Sequence, residues 1–233
     1  MNVSMLVVVT ILLLVFLCSL PSFFRWQKRQ KELKEKVLSN LSSRSERLLF
    51  SLEMVSDRYL TKDTRIFLIE YLLFCIAPLK KVGYQSDIVE KQEDLIRWLT
   101  DLKLGNHTLN KDRVGSQAEL EQIHNALQSM VREARNISDS FGVSRALIRH
   151  HVVLIRYAHD LAYRDLLVRQ ARYDLENDKK NRALEKYRTA LSVMERNGSV
   201  NSSKREKVRL QNMIQDVENL LFAKKNKAEL ESK

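Results

Sequence analysis

Residues 1–24 carry no charged side chain, and Val7-Val8-Val9-Thr10-Ile11-Leu12-Leu13-Leu14-Val15-Phe16-Leu17 is apolar almost without interruption. At 1.5 Å per residue, about 20 such residues in a helix cross a hydrocarbon core of roughly 30 Å. The segment is therefore predicted to span a bilayer once. Directly after it stand Arg25, Lys28, Arg29, Lys31, Lys34 and Lys36, and nothing basic except the amino terminus precedes it. Positive charge is retained in the cytoplasm, so the expected topology at a cell (inner) membrane is amino terminus out and all later residues in. A cleaved secretory signal wants a basic n-region and small residues at its cleavage site, whereas this stretch ends in bulky Phe23, Phe24 and Trp26. A lipoprotein signal wants a small residue before its cysteine, and Leu17 precedes Cys18. Phe23, Phe24 and Trp26 instead suit an interfacial aromatic belt, with Arg25, Lys28 and Arg29 against anionic headgroups.

The remaining chain has little punctuation for strands. Five glycines and two prolines in 233 residues argue against a sheet architecture, which needs turn residues every ten positions or so. The excess of 40 Lys and Arg over 29 Asp and Glu lies wholly after residue 24. It favours anionic partners (acidic headgroups, nucleic acid or acidic protein surfaces) without choosing among them. Of the two cysteines, Cys18 lies in the apolar segment and Cys75 in a second apolar run, so no disulfide between them is expected and a reducing compartment fits.

Helical periodicity begins at once. Leu33, Val37, Leu41, Leu48, Leu52, Val55 and Tyr59 recur mostly at spacings of three, four or seven, which predicts a stalk continuing the membrane helix, with Arg44 interrupting any seam for a partner helix. The run from Ile66 to Leu79, broken only by Glu70 and Pro78, is short for a second span and reads as a buried core helix that Pro78 should end or kink. Further helices are expected at roughly 86–104, 117–140, 145–176, 179–196 and 204–230. Gly105, Gly142 and Gly198 sit where left-handed C-terminal residues are wanted. Ser116 with Glu119, and Ser203 with Glu206, read as capping boxes. The predicted class is all-α: an anchor over 1–24, a basic juxtamembrane helix over 25–60, a helical bundle over 61–140 and helical hairpins over 141–233.

Motifs for chemistry do not emerge. His107, His124, His150, His151 and His159 include no pair three or four residues apart of the kind that binds zinc on a helix, and His151 with His159 reads as packing. The closest glycines, Gly105 and Gly115, are ten residues apart, too sparse for a phosphate-cradling loop. Cys75 lies where thiols are inert, and Glu93-Asp94, among Lys91 and Arg97, reads as a solvated helix face. No catalytic residue, metal, cofactor or small-molecule substrate is assigned.

Two local patterns carry resemblances. Phe141-Gly142-Val143-Ser144-Arg145, with Ile137 and Ile148 at apolar positions, makes residues 134–152 resemble the helix-turn-helix of bacterial DNA-binding regulators. That resemblance implies Ser144, Arg145, Arg149 and His150 in a major groove. It departs from the family in its long second helix and in His151, where an apolar residue is expected. Ala183-x-x-x-Tyr187-x-x-Ala190, with Leu167 and Ala171, makes residues 166–196 similar to one tetratricopeptide hairpin, Tyr173 standing one place off. This implies a surface that grips another protein, although no second copy follows at a period near 34.

Residues 179–209 hold ten basic side chains against three acidic ones. Lys179, Lys180, Arg182, Lys204, Arg205 and Lys207 are therefore the expected contacts for an anionic partner, headgroup or acidic protein. The preferred reading is a membrane-tethered, non-enzymatic scaffold that binds another protein at the inner face of the membrane. The runner-up is a membrane-anchored nucleic-acid-binding protein that uses the helix-turn-helix-like segment.

Overall fold

The computed structural model describes the backbone of residues 3–106, 110, 112–137, 139–196 and 200–231, and side chains from 23 to 223 within those limits except at 24, 201 and 202. The chain is 84% helix, with no strand among the described residues. Helix α1 (Val3–Met54) is a single element of 52 residues, roughly 78 Å long at the usual rise. Then come α2 (Lys62–Val82), the single turn α3 (Asp87–Glu90), α4 (Gln92–Leu104), α5 (Gln117–Arg135), a 3₁₀ turn (Asp139–Phe141), α6 (Arg145–Glu176), α7 (Lys180–Glu195) and α8 (Asn201–Glu231). Among the described residues no helix is long and apolar enough to cross a membrane. The side chains of residues 1–22, on which the expectation of a span rests, lie outside those described.

The helices pack in the order α4, α2, α1, α5, α6, α7, α8, each against the next. Buried apolar residues from Leu48 to Val217 form one continuous core, so the segments expected as stalk, bundle and hairpins share it. Helix α1 enters this core only in its last third. Residues 25–37 are exposed on all sides, Leu38 and Leu41 are half-buried, and Leu48, Leu49 and Leu52 are buried. Arg44 marks the entry, its Nη2 lying 2.7 Å from Oε2 of Glu133 on α5.

Helix α2 is the buried helix expected from its apolar run, with Leu68, Ile69, Leu72, Ile76 and Leu79 fully enclosed. Pro78 does not end it. The helix runs on to Val82, and Gly83, with φ 72°, closes it by donating to Leu79 and Lys80 carbonyls. Pro78 lies on the exposed side, so the donor it lacks is missed where water can serve the Phe74 carbonyl, while Ile76 and Leu79 keep the inner face packed. Phe74 also departs from expectation. It is 39% exposed and leans on Phe141, with ring centroids 5.2 Å apart, outside the core. Leu72→Ala should therefore cost about 2–5 kcal/mol and Phe74→Ala clearly less, as read from thermal unfolding of the full chain in detergent by circular dichroism.

The caps explain most boundaries. Ser116 accepts from the Glu119 amide at 3.2 Å, and Glu119 accepts at 2.7 Å from Gly115, one residue before the position a standard capping box uses. Gly105, with φ 81°, closes α4. Gly142 has φ 73°, but it follows the 3₁₀ turn, because α5 already ends at Arg135. Gly198 lies outside the described residues. The second predicted box is corrected: α8 begins at Asn201, before Ser203. The fully buried Ser203 hydroxyl donates to the Met194 carbonyl at 3.1 Å, and Glu206 reaches across to Arg164. Tertiary partners claim both side chains, so neither serves as a local cap.

Candidate interaction surfaces

The residues expected at a membrane interface lie together on the free part of α1. Phe23 and Trp26, one turn apart, bring their rings to 6.1 Å, and both are more than half exposed. Arg25, Lys28 and Arg29 stand on the same two turns of helix and are exposed, while the Phe24 side chain lies outside the described residues. The helix that holds the predicted interfacial belt thus also carries it clear of the folded domain.

The region resembling a helix-turn-helix is built differently from that motif. His124 stacks on His159 with ring centroids 3.4 Å apart, Leu127 and Ile155 line one groove, and a Cβ at Gly115 would lie 2.7 Å from Nη1 of Arg169. Those pairings place α5 and α6 side by side and antiparallel from the start of α5 to Leu127, whereas the motif crosses its helices at about 90–120°. Ile137 and Ile148 are buried, as the resemblance implies. Ser144 uses its hydroxyl to cap α6 through the Leu147 amide at 3.3 Å. Arg145 pairs with Asp139 at 2.6 Å, and Arg149 and His150 are exposed. His151 faces inward, bonded to Thr64 Oγ1 at 3.1 Å and stacked on Phe67 at 4.2 Å.

The basic run of residues 179–209 does not form one patch. Lys179, Lys180 and Arg182 stand at the start of α7, while Arg196, Lys204, Arg205 and Lys207 gather at its far end, where α8 begins. The 16 residues of α7 separate the two groups by roughly 24 Å. Several of these charges are also paired within the domain. Lys180 meets Asp178 at 3.2 Å, Lys186 meets Asp174 at 2.5 Å, Arg188 meets Glu218 at 2.7 Å and Arg209 meets Glu206 at 3.4 Å. The Lys186 bond first, then the charges of Lys186, Arg182 and Lys179, hold the Asp174 carboxyl below its usual range. The residues of the tetratricopeptide-like hairpin, Leu167, Ala171, Ala183, Tyr187 and Ala190, are all buried between α6, α7 and α8, and Tyr173 is exposed.

Buried charge is gathered elsewhere, at a junction that sequence reasoning passed over. Arg58 in the α1–α2 connection grips Asp165 through Nε and, at 2.8 Å, through Nη2. Arg164 Nη1 donates to the same carboxylate at 2.7 Å, and its Nη2 lies 2.5 Å from Glu206 on α8. Tyr59 donates to Asp165 at 3.3 Å and accepts from the Val114 amide at 2.9 Å. Burial pushes the Asp165 carboxyl up, but the bonds and charges of Arg58 and Arg164 outweigh it and hold the group ionised, below its ordinary value. Burial also raises the Tyr59 phenol to about 12. Nearby, the buried Arg65 closes the end of α1, donating to the Leu52 and Val55 carbonyls at 2.9 and 2.7 Å and lying 3.0 Å from Asp57. These guanidinium groups pair with carboxylates and helix-end carbonyls, as buried arginine commonly does, while Arg65 Nε, Arg164 Nε and Glu206 Oε2 make no hydrogen bond among the described residues. Only the isolated letters Arg58, Arg164 and Asp165 carry them, with no spacing rule to bring them together.

Among the described residues no group of three or more His, Cys, Asp or Glu side chains gathers as metal ligands. Burial raises the Cys75 thiol above its ordinary value. Burial, and then His150, lower the imidazole of His151, with Asp63 opposing; burial, and then His159, lower that of His124, with the His159 carbonyl and Asp160 opposing. Both take up protons less readily in the fold than in the unfolded chain, whose imidazoles protonate as the pH falls through about 6.5. Stability should be complete above that pH and fall as the pH drops through it. Melting temperatures of the detergent-solubilised chain between pH 7.5 and 5 should show this slope, and His151→Gln should flatten it.

No family model, curated protein or solved structure matches this chain.

Proposed function

We propose that this chain is a membrane-tethered, non-enzymatic interaction or scaffold protein. In this reading residues 1–24 span the membrane once, with the amino terminus outside, and the helical domain binds another protein at the cytoplasmic face. The observation that carries it is the unbroken run of α1 from the apolar segment, through the exposed basic stretch, into the core at Leu48 and Leu52. A continuous helix transmits position and orientation, so the domain is held at a set distance from the anchor. Tethering raises the effective concentration of the domain towards any partner in the same membrane, so modest contacts suffice. The antiparallel lie of α5 and α6 favours this over base reading by Ser144, Arg145 and Arg149. The two separated basic groups, Lys179–Arg182 and Lys204–Lys207, are surfaces for anionic contacts of the domain.

The test joins topology and capture. A reporter fused after Lys233 should be active only on the cytoplasmic side, and the full-length chain should resist carbonate extraction. Crosslinking in intact cells, followed by capture from solubilised membranes, should retain a defined protein in a stoichiometric amount whether or not nuclease is added. Retention that disappears with nuclease would establish the nucleic-acid reading instead. Release of a soluble product trimmed near residue 24 would remove the tether.

A further inference from the structure

We infer that the free part of α1 carries a docking seam for one kind of partner, an amphipathic helix with acidic flanks, lying alongside the stalk just beyond the headgroups. The inference rests on the tethered orientation proposed above and specifies its partner. Trp26, Leu33 and Val37 are 59%, 56% and 65% exposed on the part of α1 that no other helix covers. With Phe23 and Gln30 they follow spacings of three, four, three and four, the period of a coiled-coil seam. At 100° per residue these five positions fall within about 80° of the helix circumference. The ring contact between Phe23 and Trp26 shows two of them on one face.

The seam has a defined upper limit. Read from the sequence, Arg44 interrupts it, but in the fold Arg44 is already inside the bundle and bonded to Glu133. The limit is where α1 meets the bundle: Leu41, Leu48 and Leu52 continue the same side of the helix and are taken up by the domain's own core, while Leu33 and Val37 lie short of it and stay exposed. Residues 25–37, exposed throughout, would form a helix of marginal stability if left alone in water.

Lipid does not reach this face. Leu33 and Val37 lie 9 and 13 residues beyond Phe24, roughly 14 and 20 Å along the helix. The headgroup layer is about 5–8 Å deep, and even a tilt of about 40° leaves both residues outside it.

Charge selects the occupant. The residues nearest the stripe on its two sides are Lys34 on one and Arg29 and Lys36 on the other, whereas Glu32 and Glu35 project from the back of the helix. A second copy held in the same membrane must lie parallel, which sets Arg29 of one chain beside Lys34 of the other. That arrangement repels. A partner helix with Glu or Asp at the flanking positions attracts on both sides, and the basic flanks reject helices with lysine there.

The experiment uses the full-length chain in phosphatidylcholine nanodiscs and a labelled synthetic helix of three heptads, with Leu at the seam positions and Glu at the flanks. A second peptide carries Lys at the flanks. Fluorescence anisotropy should show saturable binding of the first and at least tenfold weaker binding of the second. Leu33→Ser with Val37→Ser should weaken the first at least tenfold without moving the thermal unfolding of the domain, because neither residue belongs to its core. Arg29→Glu, Lys34→Glu and Lys36→Glu together should reverse the preference. Equal binding of both peptides, or binding indifferent to Leu33 and Val37, would overturn the inference. So would efficient chain-to-chain crosslinking in membranes through Leu33→Cys in a background of Cys18→Ser and Cys75→Ser, since that would make a second copy the occupant. Carbonate extraction judges the tether separately: a chain that stays in the membrane yet shows no peptide preference removes the seam and leaves the tethered reading intact.

Discussion

Replacing Asp165 by Ala should cost about 3–5 kcal/mol, the usual penalty for removing one partner of a buried ion pair. Its side chain is fully enclosed, and the Arg58 and Arg164 side chains it bonds are 16% and 3% exposed. Loss of the carboxylate leaves Arg164 with Glu206 alone and Arg58 with no carboxylate bond of those it now makes. The junction joins the α1–α2 connection to α6 and, through Arg164 and Glu206, to α8, so the stalk end of the domain loosens together with the hairpins. For a domain of this size the penalty corresponds to a fall in melting temperature of about 6–20 °C. The double substitution Arg58→Met with Asp165→Leu should recover part of the loss, because it removes opposite charges together and leaves Arg164 paired with Glu206. If Asp165→Ala melts like the native chain, the network contributes no stability.

Where local chemistry alone decides, the sequence is readable to the residue. Ser144 before an apolar-periodic run predicts a helix over 145–176, and α6 spans Arg145–Glu176 because the Ser144 hydroxyl takes the Leu147 amide. Gly105 closes α4 because glycine alone enters the left-handed region without strain. Failures arise where a distant partner outbids the local one. Ser203 and Glu206 have capping-box spacing, yet Met194 and Arg164 claim them. Of the two outcomes expected at Pro78, an end or a kink, the end does not occur, because burial of Ile76 and Leu79 carries α2 past it.

The candidate surfaces divide in the same way. Phe23, Arg25, Trp26, Lys28 and Arg29 stay together because one helix carries them, so linear order and spatial order coincide. The basic run of 179–209 does not, because a helix of 16 residues lies within it and sends its two ends apart. The buried junction at Asp165 depends on contacts between residues more than 100 positions apart, such as Arg58 with Asp165. No periodicity reports such a contact.

Placing lysine at both Leu12 and Leu14, near the middle of the apolar segment, should release the chain from carbonate-washed membranes. The twelve Val, Ile, Leu and Phe residues between Val3 and Leu17 favour insertion by roughly 0.3–0.6 kcal/mol each, about 4–7 kcal/mol in all. Each central lysine costs about 2.5–3.5 kcal/mol and also removes a leucine, so two of them offset the whole gain. The same pair of changes at Leu33 and Val37 is the matched control. Those residues lie on the exposed part of α1, and lysine there should leave the chain in the membrane fraction. Circular dichroism of the released Leu12→Lys, Leu14→Lys protein should still show the helical domain, because the buried core begins about 30 residues later, with Leu48. Should that variant remain in the membrane after the wash, the apolar segment is not what holds it. Reversal of Arg25, Lys28, Arg29, Lys31, Lys34 and Lys36 to Glu would then be the change that releases it, and attachment would be electrostatic and sensitive to salt.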